Sequence, residues 1–211
     1  MTEVAATNRE RVARRQVDKF GERRAQLAAA ALHTLAELGY ARTSLRDIAQ
    51  HSEFSHGVLH YYFSDKVDLL TQAVRQYEAV CVTRYDDIVA AAASAEELRR
   101  GFADAMATTL EADARLHRLW YDLRNQSLFE ESFRDDVLEI DQRREQMIWS
   151  VASRYAELSG STVAVPPAVA YASFDGLFHR ALLRRLAGHD DAVHTLRADA
   201  ARLLDTLTAP R

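Results

Sequence analysis

The chain has 211 residues, 48% of them hydrophobic, so it can bury one large core or two smaller ones. Its 7 glycines and 3 prolines favour long helices, and its single cysteine excludes a disulfide framework and a cysteine-based zinc site. The net charge of −4 by itself argues against a nucleic-acid binder, but residues 1–24 carry +3 and the remaining chain −7. A basic end and an acidic body suit a protein that touches DNA at one end only.

No uncharged run reaches the roughly 18 residues that a membrane span needs. The N-terminus also lacks the apolar segment of a signal peptide. We therefore expect a cytoplasmic protein with no membrane partner, in which Cys81 is a small buried hydrophobe rather than a redox sensor.

Residues 1–22 are polar and basic and show no clear apolar period, which predicts a flexible N-terminal arm. A sharper alternative is an arm whose arginines reach DNA phosphates or an adjacent minor groove. The first helix is expected to begin near residue 23 and to end at Gly39. Its apolar stripe recurs at helical spacing and consists of Leu27, Ala31, Leu35 and Leu38.

Residues 43–66 predict two short helices joined by a turn, followed by a third helix. The segment Ser44-Leu45-Arg46-Asp47 has the S-x-x-D form of a capping box, in which the Ser hydroxyl binds free amide groups at a helix start. Ser55 can cap the second helix, and Ser64 can cap a helix that begins at Asp65. Two short helices joined in this way form the helix-turn-helix unit of DNA-binding proteins.

The second helix of such a unit enters the major groove with its N-terminal residues at the base edges. Here those residues are Ser55, His56, Gly57 and Val58. Gly57 supports this interpretation, because a helical glycine costs about 1 kcal/mol relative to alanine and close approach to DNA accounts for that cost. Spacing alone leaves open a plain helical hairpin within an all-α core.

The matching positions of a longer pattern begin with the segment ALHTLAELGY, which ends at Tyr40, and continue through Thr43, Arg46 to Ala49, Ser55, Gly57, Leu59, Tyr62, Phe63, Lys66, Leu69 and Leu70. This pattern resembles the DNA-binding domain of the TetR family of bacterial transcriptional repressors. It departs from the family at Glu53, where a turn glycine is usual, and at His60, where a tyrosine usually touches phosphate.

The resemblance implies an all-α protein with an N-terminal three-helix helix-turn-helix DNA-binding domain over residues 23–70. A larger helical effector-binding and dimerisation domain then covers residues 71–211. Two classes of DNA contact are expected. Base readout is assigned to Ser55, His56 and Val58, with Gly57 allowing the close approach. Phosphate anchoring is assigned to Ser44, Arg46, His60, Tyr61 and Lys66.

Beyond this unit the sequence predicts further helices and no strand of convincing length. The helix that begins at Asp65 is expected to run unbroken to about Ala91. The later helices are expected over about 95–110, 115–125, 128–158, 167–186 and 190–207.

The last two helices are the candidates for dimerisation. Ala172 and Gly176 are small residues four apart that allow close helix–helix approach, with Phe178, Leu182 and Leu183 nearby. A two-fold homodimer would bury both helices in a four-helix bundle and present two recognition helices to a palindromic operator in double-stranded DNA. The alternative is that these faces close the core of the monomer.

The resemblance also implies a small-molecule effector of unknown identity, bound within residues of about 80–185. Ligand cavities are mostly apolar with a few polar anchors. The apolar and amphipathic candidates are Phe102, Met106, Trp120, Tyr121, Phe129, Met147, Tyr171, Phe174 and Phe178, and the polar candidates are Asn125, Asp175 and His179. For each aromatic residue, core packing is the ordinary alternative.

Two other function classes compete with a repressor that an effector releases from DNA. An enzyme has little support, since the sequence contains no HExxH, P-loop, GxGxxG or GxSxG motif. His56 and His60 stand four residues apart and can in principle share a metal, but no third ligand is evident, and we expect no cofactor. A helical adaptor that binds protein rather than DNA is the second alternative, against which the basic N-terminal end and Gly57 argue.

Overall fold

The computed structural model describes residues 8–40 and 43–210, with the backbone alone for residues 8–17. The helices are α1 (Asn8–Leu38), α2 (Leu45–Gln50), α3 (His56–Tyr62), α4 (Lys66–Cys81), α5 (Asp86–Ala91), α6 (Ala95–Ala112), α7 (Ala114–Gln126), α8 (Arg134–Leu158), α9 (Pro167–Leu186) and α10 (Ala192–Thr206). The expected all-α class is confirmed. The described chain divides into two compact units between Tyr77 and Glu78, whereas we expected the boundary at residue 70.

In the first unit, α1 packs against α2 and α3. Leu27, Ala31 and Leu35 of its predicted stripe are buried, while Leu38 at the end of the helix is exposed. Gly39 ends the helix as expected, with a φ of 80° and an amide that donates to the Leu35 carbonyl at 2.8 Å.

Helix α1 begins at Asn8, so residues 8–22, which we expected to belong to a flexible arm, are helical. This stretch contains no proline and is rich in Arg, Glu and other good helix formers, so the helix extends outward from its buried part at little cost. Residues 1–7 of the expected arm lie outside the described residues.

In the second unit, α6 packs against α8 and α10, and α9 packs against α7, α8 and α10. The centre of this unit is filled by large buried side chains, among them Leu98, Phe102, Trp120 and Phe174. No helix within the described ranges has both the length and the apolar composition to cross a membrane.

The expected unbroken helix from Asp65 to Ala91 is wrong, because α4 ends at Cys81 and α5 begins at Asp86. Within the break, the Thr83 hydroxyl donates to the Val80 carbonyl at 3.1 Å. The Arg84 guanidinium reaches α6 and the residue that follows it, donating to the Thr109 hydroxyl at 2.5 Å and to the Asp113 carboxylate at 2.8 Å. These contacts join positions at least 25 residues apart, so the spacing of apolar residues within one helix cannot predict them.

Two smaller expectations also change. A short 3-10 helix, Glu131–Phe133, precedes α8, so that helix begins at Arg134 rather than near residue 128. Two three-residue strands, β1 (Ser161–Val163) and β2 (Thr208–Pro210), pair antiparallel with Ser161 opposite Pro210. The pairing ties the segment that follows α8 to the end of the chain, and three residues are too few for a visible alternation.

Candidate nucleic-acid interface and ligand cavity

The predicted capping box forms at the start of α2. The Ser44 hydroxyl accepts a hydrogen bond from the Asp47 amide at 3.2 Å, and the Asp47 carboxylate accepts one from the Ser44 amide at 2.8 Å. Hydrogen bonds from the Ser44 hydroxyl and amide hold the pKa of the Asp47 carboxyl below its ordinary value. Arg46 is exposed on the same helix, so α2 is fixed at its start while it presents a cation to solvent.

Helix α3 is anchored on one side and exposed on the other. The Ser55 hydroxyl caps it by accepting from the Val58 amide at 3.3 Å, and Leu59 is completely buried. The expected DNA-contacting residues on the remaining surface, His56, Gly57, His60 and Tyr61, are exposed, and Val58 is half-buried. Amphipathic anchoring therefore places most of the expected contact set on one accessible face.

Neither packing nor backbone conformation within this unit requires a glycine at position 57. A Cβ atom built at this position meets no other atom within 4 Å. Its φ is not positive, and the described residues contain no non-glycine residue with positive φ, so Glu53 in the turn avoids the conformation that would require glycine. The missing side chain of Gly57 therefore leaves space only for something outside this unit.

Lys66 has a structural partner that the sequence did not reveal. Its ammonium donates to the Tyr40 carbonyl at 2.9 Å and lies 3.9 Å from the centroid of the Tyr40 ring. An ammonium has three N–H donors, so this contact leaves donors for a phosphate.

The cap of α4 differs from the prediction. Asp65 rather than Ser64 caps α4, since its carboxylate accepts from the Asp68 amide at 2.9 Å. The Ser64 amide and hydroxyl instead donate to the Asp68 carboxylate, which also forms an ion pair with Arg24 of α1.

The second unit contains a cavity of about 50 Å³. Its lining includes seven residues that the sequence predicted for an effector site, namely Met106, Tyr121, Met147, Tyr171, Phe174, Asp175 and Phe178. The lining residues that the sequence did not single out are Cys81, Arg84, Tyr85, Thr109, His117, Arg144 and Ile148. Cys81 is buried as expected, and it lies against this cavity rather than in a plain core.

Two predicted ligand contacts lie behind the lining. The Phe102 ring packs edge-on against Phe174 at a centroid distance of 5.1 Å. Trp120 is buried with its ring 4.4 Å from the guanidinium carbon of Arg144. Both residues support side chains that reach the cavity without lining it themselves.

Three further predicted contacts do not line the cavity. His179 stacks on Tyr121 with ring centroids 4.2 Å apart, so it backs a lining residue. Phe129 is 84% exposed and Asn125 is also exposed, so both lie on the surface. Residue type alone could not separate Phe129 from a buried aromatic such as Phe174.

The Arg144 guanidinium is paired with a buried carboxylate. Its Nε donates to Oε2 of Glu78 at 2.7 Å, and its terminal nitrogen donates to Oε1 of the same residue at 2.5 Å. Burial by itself lowers the pKa of Arg144, but the charge and hydrogen bonds of Glu78 outweigh it, and the net shift is upward. The pair is therefore ionised, and its charge is neutralised within the protein.

Asp175 is likewise paired. Its carboxylate accepts from the Tyr121 hydroxyl at 2.8 Å and from the Arg124 guanidinium at 2.6 Å. Burial, followed by the nearby charge of Asp175, raises the pKa of Tyr121 and of Tyr171. Both tyrosines stay neutral at physiological pH, and the hydroxyl of Tyr171 donates to Asp141 at 2.6 Å.

The third charged group of the lining, Arg84, forms its ion pair with Asp113 at 2.8 Å. Beside it lies His117, whose pKa is lowered well below its ordinary value by burial and by the charges of Arg144 and Arg84. His117 is therefore neutral, with one ring nitrogen that donates and one that accepts. The cavity as a whole is apolar and charge-balanced, with hydroxyl and imidazole groups that can orient a ligand.

Residues 27–73 match the family model described as bacterial regulatory proteins, tetR family. The HTH-type transcriptional regulator TtgR of Pseudomonas putida is 29% identical over 186 residues, which cover 81% of this chain and 85% of TtgR.

Two solved structures share the fold. A TetR transcription regulator from Haloarcula marismortui has a TM-score of 0.71 at 21% identity, covering 89% of this chain and 100% of that one. The transcriptional regulator FadR from Bacillus subtilis, in complex with stearoyl-CoA, has a TM-score of 0.69 at 18% identity. The match covers 85% of this chain and 96% of the FadR chain. At these identities the similarity establishes the fold alone.

Proposed function

This chain belongs to the TetR family of bacterial transcriptional regulators, and on that premise we propose that it is a repressor released from DNA by a small molecule. The repressor binds a palindromic operator as a homodimer. The observation that carries the proposal is the exposed face of α3, where Gly57 leaves a space that nothing within its unit fills.

The DNA contacts follow from the anchoring of α2 and α3. Ser55 and His56 lie at the start of α3, the end that a recognition helix brings to the base edges. Arg46 and Tyr61 are exposed and can reach phosphates, and Tyr61 is 73% exposed despite its size. Contact with DNA would give a role to both the exposed ring of Tyr61 and the missing side chain of Gly57.

The homodimer would form through α9 and α10. On α9 the exposed stripe consists of Val169, Ala172, Gly176 and Leu183, and a Cβ atom at position 176 would meet no atom within 4 Å. Such a stripe of small and apolar residues suits a second copy of the same helix. Phe178 and Leu182, which we grouped with this face, are buried within the unit, so they belong to its core.

The effector would occupy the cavity of the second unit. At about 50 Å³ the cavity is smaller than the roughly 300–1,000 Å³ of typical ligand sites, so binding has to enlarge it. Met106 and Met147 line it, and unbranched methionine side chains repack readily. Because Arg84, Arg144 and Asp175 are already paired, an uncharged and mainly apolar molecule with hydrogen-bonding groups fits better than an ion.

Release from DNA would follow from linkage between the two sites. The effector favours one conformation and the operator another, so each weakens the other by the same coupling free energy, typically about 1–3 kcal/mol. Helix α4 is the natural connection, because it begins with Lys66 and also carries Glu78, the partner of the cavity residue Arg144.

Fluorescence anisotropy with a duplex taken from upstream of this protein's own gene tests the proposal. We expect tight binding with two subunits per site, a steep loss of affinity with salt, and weak binding to a scrambled duplex. If the protein binds both duplexes equally weakly, other genomic fragments are tested next. If it binds none of them selectively, the proposal that it recognises a DNA sequence is rejected. No binding even at low salt rejects the DNA-binding function and favours the helical adaptor.

A further inference from the structure

His56 and His60 lie one turn apart on the exposed face of α3, and their rings converge. Their Nε2 atoms are 3.1 Å apart, and their ring centroids are 4.3 Å apart with the planes at 88°. One ring donates a hydrogen bond to the other across this gap. Both residues are exposed, so a solute can approach the paired nitrogens.

The separation of the two nitrogens matches that of two ligands on one metal ion. Nitrogen binds Zn²⁺ at about 2.0–2.1 Å, so two such ligands are about 2.9 Å apart at a right angle and about 3.3 Å apart at the tetrahedral angle. The observed 3.1 Å lies between these limits. Histidines at i and i+4 on a helix also have the spacing of the HExxH zinc motif. To free both lone pairs, the donating ring need only move its proton from Nε2 to Nδ1.

We propose that His56 and His60 form a two-histidine site for a divalent transition-metal ion, and that the bound ion keeps α3 out of the major groove. Water fills the remaining coordination positions, since the described residues contain no group of three or more His, Cys, Asp or Glu side chains that could hold an ion. Imidazole favours Cu²⁺, Ni²⁺ and Zn²⁺, whereas Mg²⁺ prefers oxygen ligands.

The effect on DNA rests on the proposed function, in which both histidines face the duplex. A hydrated ion on α3 occupies the space that the base edges need. It also takes the ring nitrogens that would otherwise form hydrogen bonds with DNA. Metal and operator therefore compete for one face, and each weakens the binding of the other by the same factor.

Isothermal titration of the full chain with Zn²⁺ tests the site without DNA. Loss of an outer-shell partner already costs about 10–100-fold in metal affinity, so we expect His56→Gln and His60→Gln, which remove a direct ligand, to lose about tenfold or more. His51→Gln is the matched control, because His51 is exposed and its Nδ1 lies 2.8 Å from the Asp47 carbonyl. Equal affinity in all four proteins, or equal binding of Mg²⁺, overturns the site.

Operator anisotropy with and without saturating Zn²⁺ tests the competition. We expect Zn²⁺ to weaken operator binding about tenfold or more in the wild type and in His51→Gln, and by less than about twofold in His60→Gln and His56→Gln. Zn²⁺ that binds the protein but leaves operator affinity unchanged, or raises it, overturns the competition. Wild-type protein that binds no operator without metal rejects the proposed function instead, while the titration still decides the metal site.

Discussion

Glu78 of α4 and Arg144 of α8 form a two-point ion pair from which water is almost excluded. The Glu78 side chain is 1% exposed and that of Arg144 is 8% exposed. The guanidinium also stacks on the buried ring of Trp120 and lines the cavity. The pair thus fixes the last turn of α4 to the wall of the candidate effector site.

We expect Glu78→Gln to lower the free energy of unfolding by about 3–5 kcal/mol, because it leaves the charge of Arg144 buried without its partner. Urea denaturation followed by circular dichroism measures the change. The double variant Glu78→Leu with Arg144→Met is the control, and it is expected to recover most of the loss, since a buried pair replaced by apolar groups is often no less stable. If Glu78→Gln lowers the free energy of unfolding by less than about 1 kcal/mol, Glu78 and Arg144 do not form a buried ion pair.

The buried neutral His117 predicts a loss of stability at acid pH. Its pKa is lowered in the folded state, so below about pH 6.5 the unfolded chain binds a proton that the folded chain does not. The free energy of unfolding should therefore fall as the pH falls, by at most about 1.4 kcal/mol per pH unit from this group. Urea titrations at pH 7, 6 and 5 should show a shallower fall for His117→Gln than for the wild type. His189→Gln, at an exposed position, should keep the wild-type slope.

Gly57→Ala separates folding from DNA recognition. The new methyl group has open space within the unit, and alanine favours a helix by about 1 kcal/mol over glycine, so thermal stability should rise slightly. Operator affinity measured by anisotropy should fall, because the methyl group meets the duplex. Gly21→Ala in α1 also has open surroundings and should bring the stability gain alone. Unchanged operator affinity in Gly57→Ala would place α3 outside the groove.

Lys66→Ala should have two effects of different origin. Loss of the contact with the Tyr40 carbonyl and ring should lower stability by about 1–3 kcal/mol. Loss of a phosphate contact should weaken binding to all DNA sequences alike and reduce the salt slope by about 1. Arg46→Ala, at an exposed position, should change the salt slope with little loss of stability. A changed sequence preference in Lys66→Ala would argue against phosphate anchoring.

Leu183→Glu should dissociate the homodimer. Leu183 is 58% exposed in the stripe of α9, so the monomer should fold normally, while two carboxylates would face each other across a two-fold interface. Sedimentation equilibrium measures the change in mass, and operator affinity should fall with it. Leu138→Glu on α8 replaces a leucine of similar exposure, 59%, and should leave the dimer intact. A dimer that survives Leu183→Glu would place the interface elsewhere.

The sequence by itself determined the features that depend on neighbours within one helical turn. Ser44 and Ser55 cap the helices at which their side chains predict a start, and Gly39 ends α1 with positive φ. A cap is formed by atoms three or four residues apart, so its signal lies in the local pattern. At α4, where Ser64 and Asp65 are adjacent cap candidates, that pattern pointed to Ser64, whereas Asp65 forms the cap. The two short helices of the helix-turn-helix unit can be predicted from the sequence for the same reason.

Tertiary structure alone decided which side chains meet in the second unit. Glu78 and Arg144 are 66 residues apart, and Phe129 and Phe174 are the same residue type with opposite burial. The break between α4 and α5 depends likewise on contacts of Arg84 with residues of a later helix and its end. Burial and ion pairing arise from the packing of helices that are distant in sequence, and periodicity within one helix contains no information about which partner covers it.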